Sequence, residues 1–460
     1  MSARSALVRS LALPAVAAVS GDGFWGTVAR RLRTLERSQW WSGEEIAALQ
    51  LSRLQALVAH AGLRVPFYRE RFRQSGMSPR GIRSLDDLRA LPPLTRDDLR
   101  EHSTRLLADG WGDRVEENAT GGSCGRPVRF YIDRGETALR AATAWRHNGW
   151  AGWCLGDRAG VIWGAPRDLA GVAPLRERLA SALLTPALSL NAFDVSSEGL
   201  LRFAGALRRW RARVLFGYAE CLTEFARELR DSGESVPSLR SVVSSAEALS
   251  PQNRRLIEHV TGCPVFDRYG ARETGLIASE CEAREGLHVA AEDVYVEIAD
   301  PDEQGVGRVL VTKLNSYGMP FIRYDIGDFG AWLEGPCACG RALPRLRLAG
   351  CRTSDFLLSA DGRMVSGAAL TLVTRDLPDL GTVQLYQSAV GRVEVRIEGS
   401  RRLSPRLADE VRRRLQTYLG PVAVEFAFPE RIERTASGKY RFAVCEAACQ
   451  TTSERAGAVG

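Results

Sequence analysis

Asp267-Arg-Tyr-Gly-Ala-Arg-Glu-Thr-Gly275 follows directly on a short apolar run at 264–266, and that junction decides how the chain is read. An apolar, β-branched or aromatic run entering a glycine turn is the mark of a strand end. The same punctuation recurs upstream at 158–163, 214–216 and 241–244, with helical stretches at 222–231 and 251–261 between the runs. Strand and helix in alternation predict an α/β fold with a parallel sheet. Downstream, 289–333 reads as consecutive strands with glycine turns, hence a β-rich subdomain. Residues 36–100 read as helical. Two helices are expected over 39–60, a break at Pro66, and a short capped helix from Ser84 that ends at Pro92-Pro93. After Gly350 the pattern changes to a strand at 393–397, an Arg-rich amphipathic helix at 404–419 opened by Ser-Pro, and a strand at 422–428. The expectation is a large N-terminal α/β domain over 1–352 and a small mobile C-terminal α+β domain over 353–447, with 448–460 as a disordered tail.

A chain of 460 residues suits such a division. The formal net charge of +7 comes from scattered basic residues closely followed by acids, not from a basic stripe interleaved with aromatics, so nucleic-acid binding is not expected. No run of eighteen apolar residues predicts a membrane span. The stretch 11–19 behind Arg4 and Arg9 resembles a signal peptide, but dispersed cysteines and the motifs below favour the cytoplasm. Among 62 basic residues only Lys313 and Lys439 are lysines. A lysine kept against that bias points to a need for a compact ammonium.

Five stretches carry chemistry. Thr120-Gly-Gly-Ser-Cys-Gly-Arg-Pro-Val128 is dense in glycine and hydroxyls, so its backbone N–H groups could cradle phosphate, although Gly-rich turns are mostly just turns. Tyr269-Gly270 with Glu273 could stack a base and hold a metal, or be a turn with a surface acid. In Pro320-Phe-Ile-Arg-Tyr-Asp-Ile-Gly-Asp328 two aspartates flank a glycine; such an Asp can accept both ribose hydroxyls or simply cap a turn. Gly350-Cys-Arg-Thr-Ser-Asp355 marks the domain boundary, and Arg434-Thr-Ala-Ser-Gly-Lys-Tyr-Arg441 sets Lys439 on a glycine-hinged turn, where it could reach a phosphate or be a solvated loop.

In order and spacing these stretches resemble the acyl-adenylate-forming superfamily. Gln50, Leu54, His60-Ala61, Val65-Pro-Phe-Tyr68 and Leu91-Pro-Pro-Leu-Thr95 are similar to the opening of its phenylacetate–CoA ligase and capsule-biosynthesis branch. The resemblance covers about 36–445. It implies an ATP-dependent ligase that joins a carboxylic acid to AMP and then passes the acyl group on. The favoured acid is aryl or arylacetic, and coenzyme A is the favoured acceptor. An amine or a carrier-protein thiol is the alternative acceptor, and a non-catalytic nucleotide-binding relative is a further alternative. The resemblance places Thr120, Gly121, Gly122, Ser123 and Gly125 on the ATP phosphates, and Ser245, Ala246, Glu247, Asp267, Tyr269 and Gly270 around the nucleotide. Glu273 would bind Mg²⁺, Asp328 and Arg352 the ribose, Asp355 would be the hinge, and Lys439 would bridge the substrate carboxylate and α-phosphate. Cys124, Cys351 and Ser354 depart from the family pattern.

Cys281, His288, Cys337 and Cys339 form two pairs of N/S ligands suited to a structural Zn²⁺, a reading that the branch resemblance supports, with buried thiols and a solvent histidine as the alternative.

Overall fold

The computed structural model describes residues 6–20, 23–119, 128–163, 175–192, 196–352 and 356–446, apart from 363, 367–369, 371–372, 375–376, 378–379, 381, 400–401 and 434–440. Of the expected site residues, Thr120, Gly121, Gly122, Ser123, Gly125, Asp355 and Lys439 lie outside the described residues, as do Cys124 and Ser354.

A hairpin of β1 (Val115–Ala119) and β2 (Arg129–Asp133) precedes the main sheet. That sheet has eleven strands: β3 (Ala159–Trp163), β4 (Ala187–Asn191), β5 (Val214–Tyr218), β6 (Ser241–Ser245), β7 (Val265–Ala271), β8 (Gly275–Glu280), β9 (Leu287–Val289), β10 (Val294–Ala299), β11 (Gly307–Lys313), β12 (Tyr324–Leu333) and β13 (Arg345–Arg352). The spatial order is β10-β11-β12-β13-β9-β8-β7-β6-β5-β3-β4. From β4 to β7 every pair is parallel; from β7 onward the pairs are antiparallel. The β-rich stretch foreseen at 289–333 is thus hydrogen-bonded into the same sheet rather than forming one of its own.

The parallel strands are apolar because both faces are covered. Val214, Phe216, Val243 and Phe266 pack on one side with the helices Phe24–Ser38 and Arg134–Trp150. Their chain neighbours Leu215, Val242 and Val265 pack on the other, under helices Ser197–Trp210, Ala219–Ser232 and Pro251–Thr261. The period of two along each strand makes this division.

Local chemistry sets the helix ends. Ser42 and Glu45 form a reciprocal capping box that opens one continuous helix, Gly43–Arg64, where two were expected. Pro66 does not merely break the pattern. It stands at the first turn of the next helix, Pro66–Ser75, where its missing N–H costs nothing.

Beyond Leu348 the packing changes. A separate core runs from Leu357 to Ala443 and includes no residue of the other clusters. It lies between helix Pro405–Leu419 and a four-stranded sheet of β16 (Val383–Ala389), β17 (Arg392–Ile397), β18 (Ala423–Ala427) and β19 (Ala443–Cys445) in the order β18-β17-β16-β19. A small hairpin, β14 (Phe356–Leu358) with β15 (Met364–Ser366), precedes it. The strand–helix–strand unit read from the sequence is present.

Candidate active site

Among the described residues, the expected nucleotide positions Ser245, Ala246, Glu247, Asp267, Tyr269 and Gly270 lie where the parallel half of the sheet turns antiparallel. Ser245 ends β6 beside Arg268 of β7, and Ser244 pairs with Asp267. Ala246, next along, holds φ at 69°, a left-handed conformation that disfavours a residue with a Cβ. Such strain persists only where the surroundings impose it. Here it turns the chain out of β6, and the Glu247 carboxylate accepts the N–H of Glu220 at 3.1 Å, joining the ends of β5 and β6.

The Tyr269-Gly270 pair is explained by a close approach. A Cβ on Gly270 would stand 2.5 Å from the Gly275 carbonyl oxygen, so the tight return from β7 to β8 admits only glycine. Gly275 itself has φ of 74°. Arg140, on helix Arg134–Trp150, donates to the carbonyls of Arg272 and Glu273 at 2.6 Å each and fixes this turn. Arg272 in turn donates to the carbonyl of Ala119 at 3.1 Å. The end of β1 at Ala119 is therefore tied to the Glu273 turn.

Tyr269 reaches across to β12, where its hydroxyl donates to Asp328 at 2.8 Å. Asp328 pairs in register with Arg352 of β13, so these two positions are adjacent in the ladder. Glu273 is 3% exposed and accepts a hydrogen bond from the Tyr324 hydroxyl at 3.1 Å. Among the described residues no basic group lies within ion-pair distance of this sheltered carboxylate, and Arg96 acts on it only from farther away. A divalent ion fits that donor.

Two contributors were not foreseen. Tyr324 was part of a quoted motif but carried no role. Arg96 follows the Leu91–Thr95 signature, which is pinned to β12 because Leu94 exchanges backbone hydrogen bonds with Arg323 and Asp325 at 2.9 Å each. Burial works against the Arg96 charge, yet Tyr324, Glu273 and Asp328 hold it above the ordinary guanidinium range. Only the fold shows that these distant residues meet. Asp267 is also perturbed: burial and the nearby Glu280 carboxylate push it up to about 7.

Lys313 has a different role from the one its rarity invites. Wholly buried, it donates to Glu136 at 2.9 Å and lies 3.7 Å from Asp293, while Ser316 donates to the other Glu136 oxygen. Lys313 and Arg140 offset the burial of Glu136 and hold its carboxyl down at about 2. This is an interior ion network, not a ligand contact.

Cys281, His288, Cys337 and Cys339 converge, with their ligand atoms all within 4.8 Å of one another. The Sγ atoms of Cys281 and Cys337 are 3.6 Å apart, and Cys339 Sγ is 3.4 Å from His288 Nε2. A zinc tetrahedron with Zn–S bonds of about 2.3 Å has edges of about 3.8 Å, so the spacing is suitable. His288 Nδ1 lies 3.0 Å from the Leu343 carbonyl, which favours a proton on Nδ1 and leaves Nε2 to face the sulfurs. Burial pulls His288 down to about 4 and pushes Cys281 up to about 12. The imidazole is therefore ready to ligate, whereas the thiol needs a cation to ionise.

No family model matches the chain. Among curated proteins it is similar to the phenylacetate–coenzyme A ligase of Thermus thermophilus, 27% identical over 384 residues, covering 80% of this chain and 84% of that one. The phenylacetate–coenzyme A ligase of Aromatoleum evansii is 25% identical over 430 residues, covering 88% and 95%. Among solved structures, 2-hydroxyisobutyryl-CoA ligase in its postadenylation state superposes with a TM-score of 0.71 at 21% identity, covering 92% of this chain and 94% of that one. The chain thus has the adenylate-forming ligase fold. The curated proteins it matches bear the phenylacetate–CoA ligase name, in agreement with the resemblance read from its motifs.

Among the described residues no helix is long and apolar enough to cross a membrane.

Proposed function

We propose that this protein is an AMP-forming acid–thiol ligase that activates an aryl or arylacetic acid with ATP and transfers the acyl group to coenzyme A. The observation that carries this reading is the meeting of Tyr269, Glu273 and Asp328 at one end of the sheet, in a chain aligned with phenylacetate–CoA ligases over most of its length.

In the first half-reaction a substrate carboxylate oxygen bonds to the α-phosphorus, the bond to the β-phosphate oxygen breaks, and pyrophosphate leaves. The carboxylate is already ionised at neutral pH, so no general base is needed. The obstacle is crowded negative charge. The 120–127 loop would hold the β- and γ-phosphates, and Lys439 would stand between the carboxylate and the α-phosphate. Glu273, oriented by Tyr324, would hold Mg²⁺ brought with ATP, which supplies charge neutralisation. Tyr269 would stack on the adenine in a slot with Ser245, Ala246, Glu247, Asp267 and Gly270. Asp328 would accept from the ribose hydroxyls, assisted by Arg352. In the second half-reaction the thiol sulfur bonds to the acyl carbon and AMP leaves with the mixed-anhydride oxygen. Asp355 would be the hinge between the two halves, with the domain boundary at 352/353.

Cys281, His288, Cys337 and Cys339 would hold a structural Zn²⁺, supported by their spacing and by the His288–Leu343 contact. Incubation with ATP, an arylacetic acid and CoA should yield AMP and a thioester in equal amounts. Accumulation of acyl-AMP in the presence of CoA, consumed only on adding an amine or a holo carrier protein, would overturn the choice of acceptor.

A further inference from the structure

The face of the sheet around β3 and β5 bears on what the acid carries besides its reacting carboxylate, and the argument rests on the ligase reading above. The order β4-β3-β5-β6-β7 reverses direction between β3 and β5. Open α/β sheets bind ligands beyond the carboxyl ends of their strands at such a reversal. The register there pairs Val161 with Phe216, Tyr218 with Ser245, and Ser245 with Arg268. With the period of two, Trp163, Phe216, Tyr218, Ser245 and Arg268 share one face of the sheet.

The contacts agree. Trp163 and Tyr218 have ring centroids 4.5 Å apart, and the Arg268 guanidinium carbon lies 5.8 Å from the Phe216 ring centroid. Arg268 donates to Ser245 Oγ at 3.4 Å and to Asn148 Oδ1 at 3.3 Å. Both bonds are long and both acceptors neutral. Among the described residues no carboxylate lies within ion-pair distance of its side chain. A guanidinium carries five N–H donors. Burial pulls Arg268 down to about 10, with only Asp267 acting the other way, so it stays charged at neutral pH. A sheltered cation beside aromatic rings with two weak neutral partners is poorly compensated, and a carboxylate accepting two parallel N–H bonds would compensate it well.

We propose that Arg268 is a specificity-determining residue that reads a second, acceptor-bearing group on an aromatic acid, a carboxylate best of all, while the part-exposed Trp163–Tyr218 pair takes the ring. If Arg268 served only to tie β7 to helix Arg134–Trp150 through Asn148, its loss would lower stability and depress every substrate alike.

ATP–pyrophosphate exchange separates the two roles. Three arylacetic acids that differ only in the ring substituent (hydrogen, hydroxyl or carboxylate) should give kcat/KM rising in that order, the last about 10- to 100-fold above the first. Arg268→Met should abolish or invert the order, and Arg268→Lys should keep part of it, with melting curves confirming that both variants fold. Equal use of the three acids by the wild type, or a uniform loss in Arg268→Met, would overturn this inference while leaving the ligase reading in place. Failure of exchange with every acid would instead remove the ligase reading, and this one with it.

Discussion

At the residue scale, a few charged groups sit in sharply different surroundings. Lys439→Ala should lower acyl-AMP formation about 10²- to 10³-fold, the loss of one strong electrostatic contact, and Lys439→Arg should restore little. Transfer from supplied acyl-AMP should be nearly unchanged; an equal fall in both half-reactions would contradict the role. Tyr324→Phe leaves Glu273 without its orienting hydroxyl and should weaken Mg²⁺-dependent adenylation roughly 10- to 100-fold, read from the magnesium dependence of the rate. Asp267 gives a pH test. Its carboxyl is raised to about 7 when folded, against an ordinary value near 4, so the folded chain binds the extra proton. Its contribution to stability is therefore full below about pH 4 and is lost as pH rises through about 7. Asp267→Asn should flatten the decline in melting temperature between pH 5 and pH 8, and an unchanged slope would exclude Asp267 as its source. The sequence made Glu273, Tyr269 and Asp328 visible because each sits in a short motif with its own turn. It could not show Arg96 beside them, since 177 positions separate Arg96 from Glu273 and only strand pairing at Leu94 closes that distance. Nor could the scarcity of lysine distinguish a ligand from an interior ion: Lys313 proved to be the latter.

At the scale of elements, local signals were reliable where a cap or a period was strong. The strands at 158–163, 214–216 and 241–244 and the helices at 222–231, 251–261 and 404–419 all formed, each flanked by its glycine or serine punctuation. The single helix Gly43–Arg64 replaced two because nothing within it, neither proline nor a competing cap, interrupts the backbone ladder. Register is invisible in a sequence, and register is what places Cys281 after β8, His288 in β9 and the two remaining cysteines between β12 and β13 at a common point. Purified protein should carry about one zinc per chain, and Cys337→Ser should lose it together with thermal stability. Zinc-free protein prepared without chelator would exclude the site. The connection around Asp355 makes a separate claim. Asp355→Pro fixes φ and should impair thioester formation more than adenylation, as the ratio of the two half-reaction rates would report. Equal impairment in a folded variant would move the hinge elsewhere.

At the scale of the whole molecule, the α/β class followed from strand–helix alternation, and the small C-terminal unit from the change of pattern after Gly350. The joining of the parallel and antiparallel halves into one eleven-stranded sheet did not, because β9 and β13 pair across more than fifty residues of chain. That joining has a functional consequence. It brings Tyr269 of β7 within hydrogen-bond reach of Asp328 on β12, so that the proposed nucleotide contacts from the two halves meet. The central claim is that this arrangement activates a carboxylic acid as its adenylate. Exchange of labelled pyrophosphate into ATP measures that step alone, without CoA and without the proposed domain rotation. Exchange should require Mg²⁺ and an aryl or arylacetic acid and should fall about 10²- to 10³-fold in Lys439→Ala. Folded protein that binds ATP yet shows no acid-dependent exchange across such a panel would contradict that claim.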